Sequence, residues 1–181
     1  MIDQKKFRSK ALSQLTSQIG VYALCDLDQV PIYVGQSVDG IRTRVQRHLT
    51  SARSDIIANR QIDVWEIGYV WAWPVMDVSQ VLPLEEYLFG QFEAVSPLMN
   101  GKIMPERIGL DFAMPKKQVV QVIEADELAQ KLDPALRLPR QISQYLALVD
   151  YIQTVKDQPH LKRSLRAHFE RLVRYHKKFL E

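Results

Sequence analysis

Two short runs open the pattern. Residues 19–27 (IGVYALCDL) and 30–35 (VPIYVG) are rich in β-branched and aromatic residues, and they flank Asp-Leu-Asp-Gln-Val-Pro, where Asp and Pro favour a turn. This predicts a β-hairpin. Ahead of it, residues 7–18 have the makings of a short leading helix. From Asp39 the period lengthens: Ile41, Val45 and then Leu49 or Ala52 recur at helical spacing, with arginines on the other faces. Residues 55–62 read as a connection. DVWEIGYVWAWPV (63–75) alternates and is aromatic, which predicts a third strand of the same sheet. SQVLPLEEYLFGQFEAV (79–95) predicts a helix that tolerates Pro83 in its first turn. It stops before Pro97 and the Asn100-Gly101 turn.

Beyond that point the pattern weakens. Residues 102–122 are irregular, with KKQVVQVIE a candidate strand, and ADELAQKL predicts a short helix. Two longer helical patterns follow, 140–157 and 160–180, split by Asp157-Gln158-Pro159. The expected fold class is α+β: a small three-stranded, mostly antiparallel sheet flanked by helices, with a C-terminal α-helical hairpin. The expected division is a body over residues 1–134 and a basic helical region over 135–181.

Composition narrows the class. The chain has 181 residues, 46% of them hydrophobic and 25% charged, which fits a folded globular chain long enough to bury a core. No apolar run approaches the roughly 20 residues of a membrane span. The N-terminal MIDQKKFRSKALSQLTSQ lacks the apolar centre of a signal peptide, so the cytoplasm is the expected address. The lone Cys25 excludes an intrachain disulfide and any multi-cysteine zinc site.

Charge is uneven. Residues 135–181 carry ten Lys/Arg against four Asp/Glu, a net +6, which leaves the preceding residues near −3. A basic third on a mildly acidic body points to an anionic partner, or to a solvated basic helix face.

The hairpin holds the candidate chemistry. Gly20-Val21-Tyr22 in its first strand is mirrored by Tyr33-Val34-Gly35 in its second. Strand alternation lets both phenols emerge on one face, and the glycines let another group come close. Arg44 and His48 follow at i and i+4 on the next helix. Glu85 stands near the start of the later helix and Asn100 just past its end. Two phenols, a guanidinium, an imidazole, a carboxylate and an amide suit phosphodiester hydrolysis. That reaction needs a base for water, a cation beside the phosphate and a metal ligand.

In this order and spacing, over residues 19 to about 101, the chain resembles the GIY-YIG nuclease family. The resemblance implies that family's fold and an endonuclease that cuts DNA with one Mg²⁺, or Mn²⁺ as a substitute. It implies Tyr22 as general base passing its proton to His48, Arg44 stabilising charge on the phosphate, and Tyr33 positioning water or phosphate. It gives Glu85 the metal and Asn100 a role in holding the site by hydrogen bonds. Glu86 is the alternative ligand; Glu85 is preferred because Leu88 and Phe89 then occupy the apolar pair that follows. The size fits a restriction or defence nuclease, and a double-strand cut would make a homodimer natural. The competing reading is a catalytically silent nucleic-acid-binding or protein-interaction module on the same fold.

Two further features bear on partners. Trp65, Tyr69, Trp71 and Trp73 share odd positions, so a regular strand would set them on one face, as core or as platforms for unpaired bases. On the last helix Leu161, Leu165, Phe169, Leu172 and Val173 form an apolar stripe, with Arg166, Arg174 and Lys177 elsewhere. These three, with Arg42 and Arg47, are the expected DNA contacts.

Overall fold

Asp26 closes the first turn. Its Oδ1 accepts from the backbone N–H of Asp28 and of Val30, each at 2.9 Å, while Gln29 takes a left-handed φ of 62°. The turn joins β1 (Gly20–Cys25) to β2 (Pro31–Ser37). In this computed structural model, which describes residues 4–50, 54 and 58–181, the register sets Tyr22 opposite Gly35 and Leu24 opposite Tyr33. Both tyrosines therefore lie on one face, as the alternation predicts.

The sheet has four strands, not three. β3 (Tyr69–Pro74) pairs antiparallel with the other side of β1, and β4 (Gln118–Gln121) pairs antiparallel with β3, giving the order β2-β1-β3-β4. The candidate strand in KKQVVQVIE is thus real, but only four residues long. The expected strand over 63–75 begins late. Asp63 instead accepts from the Trp65 N–H and caps a 3₁₀ turn over Val64–Glu66. Trp65 accordingly leaves the row of Tyr69, Trp71 and Trp73, and it sits between the Arg8 guanidinium and the Lys131 ammonium. Trp73 is buried in the core, while the Lys117 ammonium lies 3.7 Å over the Trp71 ring.

Helices cover both faces of the sheet. α1 (Gln4–Leu12) and α2 (Ile41–Thr50) pack Ala11, Leu12, Ile41, Val45 and Leu49 against Tyr22, Leu24, Val70, Ala72 and Val120. α1 starts and ends earlier than the expected 7–18, and the Ala52 alternative lies outside the described residues, as do residues 55–57 of the expected connection. α3 (Val81–Glu93) packs Val81, Leu84, Leu88 and Phe89 on the opposite face against Val21, Ala23, Val34 and Trp73.

The C-terminal region is α4 (Ala125–Leu132), α5 (Pro134–Thr154) and α6 (Pro159–Leu180). α5 begins six residues before the expected start at 140. Asp133 accepts from the Ala135 N–H at 2.9 Å and Pro134 opens the helix, so the helix runs through Pro139. Side chains on both sides of that proline hold the helix to the body. The Arg137 guanidinium reaches Glu66 at 2.6 Å and Asp28 at 2.6 Å, Gln141 donates to Glu66 at 3.1 Å, and Arg140 pairs with the same carboxylate. The buried face of α6 also differs from the apolar stripe. Leu161, Ser164, Ala167, His168, Arg171 and Tyr175 face inward, whereas Phe169 and Val173 are exposed. Among the described residues no helix is long and apolar enough to cross a membrane.

Candidate active site

Gly35 makes room for a hydroxyl. A Cβ at this position would come within 2.5 Å of Tyr22 Oη and 2.7 Å of its Cζ, so only glycine lets β2 pass the buried phenol. Gly20 has a separate reason: its φ of 148° suits glycine, and a side chain there would strike the Trp73 carbonyl. The mirrored glycines thus seat one tyrosine and one strand crossing.

α2 completes the hydroxyl's surroundings. His48 Nε2 stands 2.8 Å from Tyr22 Oη, and His48 Nδ1 stands 2.8 Å from Ser54 Oγ. With the ring proton on Nδ1, histidine donates to Ser54 and accepts from the phenol. The Tyr33 ring closes the cluster, its centroid 6.4 Å from that of Tyr22 and 5.7 Å from that of His48. Tyr22, Tyr33 and His48 are therefore gathered at one place. Ser54 had no signal in the sequence, because it lies off the helical spacing of α2.

Burial governs the phenol. Tyr22 is fully buried, and loss of solvation, reinforced by Tyr33 and more weakly by Glu85, pushes its pKa well above 10. Arg44 opposes this, its positive charge favouring the phenolate. Arg44 is an exposed residue. Any proton leaving Tyr22 has His48 as its nearest acceptor.

Glu85 lies on the buried side of α3, only 8% exposed, and no hydrogen bond or ion pair reaches its carboxylate among the described residues. Burial first, and then the neighbouring Glu86, raise its pKa from 4.5 to about 7, while Lys102 pulls the other way. Glu86 is differently occupied, paired with Arg107 at 3.2 Å. A single unpaired carboxylate fits Mg²⁺, which keeps most of its waters and takes few protein ligands. It does not fit a closed cage, and no cluster of three or more His, Cys, Asp or Glu exists among the described residues.

Asn100 has a fixed task. Its Nδ2 donates to the Val34 carbonyl at 2.6 Å and its Oδ1 accepts from the Val34 N–H at 3.0 Å. The side chain thus pairs with the edge of β2 as a neighbouring strand would. Both ends of the amide are used, so Asn100 holds β2 in place.

The expected DNA contacts divide. Arg42 Nε donates to the Leu15 carbonyl at 2.7 Å and Arg174 donates to Ser96 at 3.2 Å, so both have structural partners. Arg47 and Lys177 are exposed, and Arg166 is exposed beside Glu170 at 3.5 Å. Arg137 and Arg171, counted in the basic excess, are buried and bind groups of the body. Part of the C-terminal charge therefore answers Asp28 and Glu66 rather than an outside anion.

Comparison with protein-family models, with curated proteins and with solved structures finds no match for this chain.

Proposed function

We propose that the chain is a metal-dependent endonuclease of the GIY-YIG type acting on DNA, of restriction or defence character. The observation that carries the reading is the Tyr22–His48–Ser54 hydrogen-bond relay, with the Arg44 charge favouring the same phenolate. Such a relay supplies what an isolated phenol lacks at neutral pH, an acceptor for its proton and a cation beside the phenolate. In this reading Tyr22 deprotonates water and His48 takes the proton. Ser54 holds the imidazole ring in orientation, and Arg44 meets charge developing on the phosphate. Tyr33, its ring beside those of Tyr22 and His48, positions water or phosphate. Glu85 holds Mg²⁺, or Mn²⁺ in its place, which when bound neutralises charge on the departing oxygen. Of the expected contacts, Arg47 and Lys177 are exposed with no ion pair among the described residues and are the best placed for the DNA backbone, with Arg166 beside Glu170 after them. One site cuts one strand, so a double-strand cut takes two copies of the chain.

The second reading, a silent binding module, draws on the complete burial of Tyr22, since a base must reach its water. One experiment separates the two. Purified protein is incubated with supercoiled plasmid and with single-stranded circles, in Mg²⁺ or EDTA, beside Arg44→Ala and Glu85→Ala. The nuclease reading expects Mg²⁺-dependent cutting that falls by about a hundredfold or more in each variant, with DNA binding retained. Cutting that survives both substitutions sinks the site. DNA binding without cutting by any form selects the binding module.

A further inference from the structure

The far edge of the sheet is bare. The Val122 N–H bonds to the Gly68 carbonyl at 2.9 Å, and β4 pairs Val120 with Val70 and Gln118 with Ala72. Backbone groups of alternate residues point to alternate sides, so the N–H and C=O of Val119 and Gln121 point away from β3. No hydrogen bond among the described residues reaches them. Beside this edge runs α1, held on the sheet by Arg8, whose Nε donates to the Val122 carbonyl at 3.5 Å. Between helix and edge lies an open groove of about 590 Å³, with Phe7, Ala11 and Val119 as its apolar part and Lys6, Lys10, Gln14 and Gln121 as its polar part.

We propose that this groove docks an extended acidic segment of a partner protein, which adds to β4 as a fifth strand. Backbone chemistry gives the first argument. The edge offers carbonyls as well as N–H groups in alternation, and a peptide backbone satisfies both, whereas a nucleic-acid phosphate satisfies only the donors. Charge gives the second. The lining has two lysines and no carboxylate, and the α1 sequence QKKFRSKAL has no acidic residue. Lys6 and Lys10 make no ion pair among the described residues. A second copy of the chain is the wrong occupant. Two β4 edges paired across a twofold axis would bring the lysines of both α1 helices together. Native edges are commonly guarded by shortness, lysines, bulges or a covering loop; β4 is four residues long, and the flanking Lys6 and Lys10 repel a like edge while suiting an acidic segment.

The test uses the full chain and fluorescent peptides: a short alternating glutamate–valine peptide, its lysine–valine counterpart, and the acidic peptide interrupted by proline. The acidic peptide binds, and amide hydrogen exchange slows at Val119 and Gln121. Lys6→Glu with Lys10→Glu weakens it by about tenfold or more, since tenfold corresponds to about 1.4 kcal/mol. Val119→Pro removes one outward N–H without touching the β3 ladder and abolishes slowed exchange at Gln121. Should that variant misfold by circular dichroism, the charge-reversal pair, on an exposed helix face, decides alone. Equal binding of the lysine peptide overturns the proposal, as does failure of the acidic peptide to bind. Displacement of the peptide by duplex DNA overturns it in favour of a nucleic-acid groove. A concentration-dependent dimer abolished by Val119→Pro overturns it in favour of a second copy.

Discussion

The two edges of this sheet are finished in opposite ways. At β2 outward backbone groups of Pro31, Ile32 and Val34 are met by other segments. Met99 N–H bonds to the Ile32 carbonyl at 2.7 Å, the Asn100 amide brackets Val34, and Arg171 donates to the Pro31 carbonyl at 3.2 Å. At β4 the outward groups of Val119 and Gln121 meet none of the described residues. The contrast shows where rigidity is concentrated. Tyr33 sits on β2, its ring centroid 6.4 Å from that of Tyr22 and 5.7 Å from that of His48, and in the proposed nuclease this arrangement needs a strand that cannot slide. Asn100 and Arg171 belong to segments far from β2 in sequence, so the closed edge also ties the C-terminal helices to the site. The open edge carries none of the residues gathered around Tyr22.

The largest effect is expected where the closed edge is anchored. Arg137 is 2% exposed and faces Asp28 and Glu66 at 2.6 Å, with Asp26 at 3.9 Å. Its removal leaves carboxylates buried without their main counter-charge, which costs about 3–5 kcal/mol. Urea unfolding of Arg137→Ala should show that loss with an unchanged m-value. A loss below about 1 kcal/mol would mean that Arg140 and Lys178 already neutralise the cluster.

Next comes Asn100→Ala. It strands the Val34 N–H and C=O at a buried edge, and an unsatisfied buried group costs about 1–3 kcal/mol. Exchange of the Val34 amide should accelerate more than that of Leu24 in the adjacent strand. If both amides respond equally, Asn100 supports the fold at large and the closed edge has no special stiffness.

These two residues also mark what the sequence could and could not reveal. The hairpin, α2 and α3 were legible because short-range pattern decides them, and the tyrosine pair because alternation fixes its face. Asn100 stood out as a candidate only through its place in an ordered set of six. The clamp around Arg137 was not legible, since its carboxylates lie some 70 to 110 positions away and nothing local distinguishes a buried arginine from a surface one. β4 was faint because Gln-Val-Val-Gln carries little pattern of its own, and its strand character comes from pairing with β3. α6 misled for a related reason. Its inward face holds Ser164, His168 and Arg171, polar groups whose partners (Met99, Gln61, Pro97 and Pro31) are backbone carbonyls of the body.

Glu85 provides a smaller effect with a definite sign. Burial raises its pKa from 4.5 to about 7, so over that window the native state keeps a proton that the unfolded chain gives up. The contribution of this group to stability is therefore full below about pH 4.5 and is lost as pH rises through about 7. Glu85→Gln should flatten that decline. In the proposed nuclease Mg²⁺ would displace the same proton, so its stabilising effect should grow with pH. At about ten times its dissociation constant the ion contributes about 1.4 kcal/mol, or about 3–6 °C in Tm at 2–4 °C per kcal/mol. Thermal melts of both proteins at two pH values, with and without Mg²⁺, check this. An equal Mg²⁺ shift in Glu85→Gln would move the ion elsewhere.

The smallest effect is expected at the open edge, and it tests the comparison from the other side. Val119 is 47% exposed, its backbone N–H and C=O point away from β3, and its neighbour Val120 makes the ladder bonds to Val70. Val119→Thr keeps the β-branch that suits a strand and changes only a half-exposed methyl, so stability should move by no more than about 0.5 kcal/mol. The amide of Val119 should exchange fast in both proteins, because no acceptor inside the fold protects it. A cost above about 1 kcal/mol, or slow exchange at that amide in the isolated chain, would mean that this edge is covered after all. The two edges would then differ in which segment closes them, and the stiffness assigned to β2 would have to come from the Arg137 clamp alone.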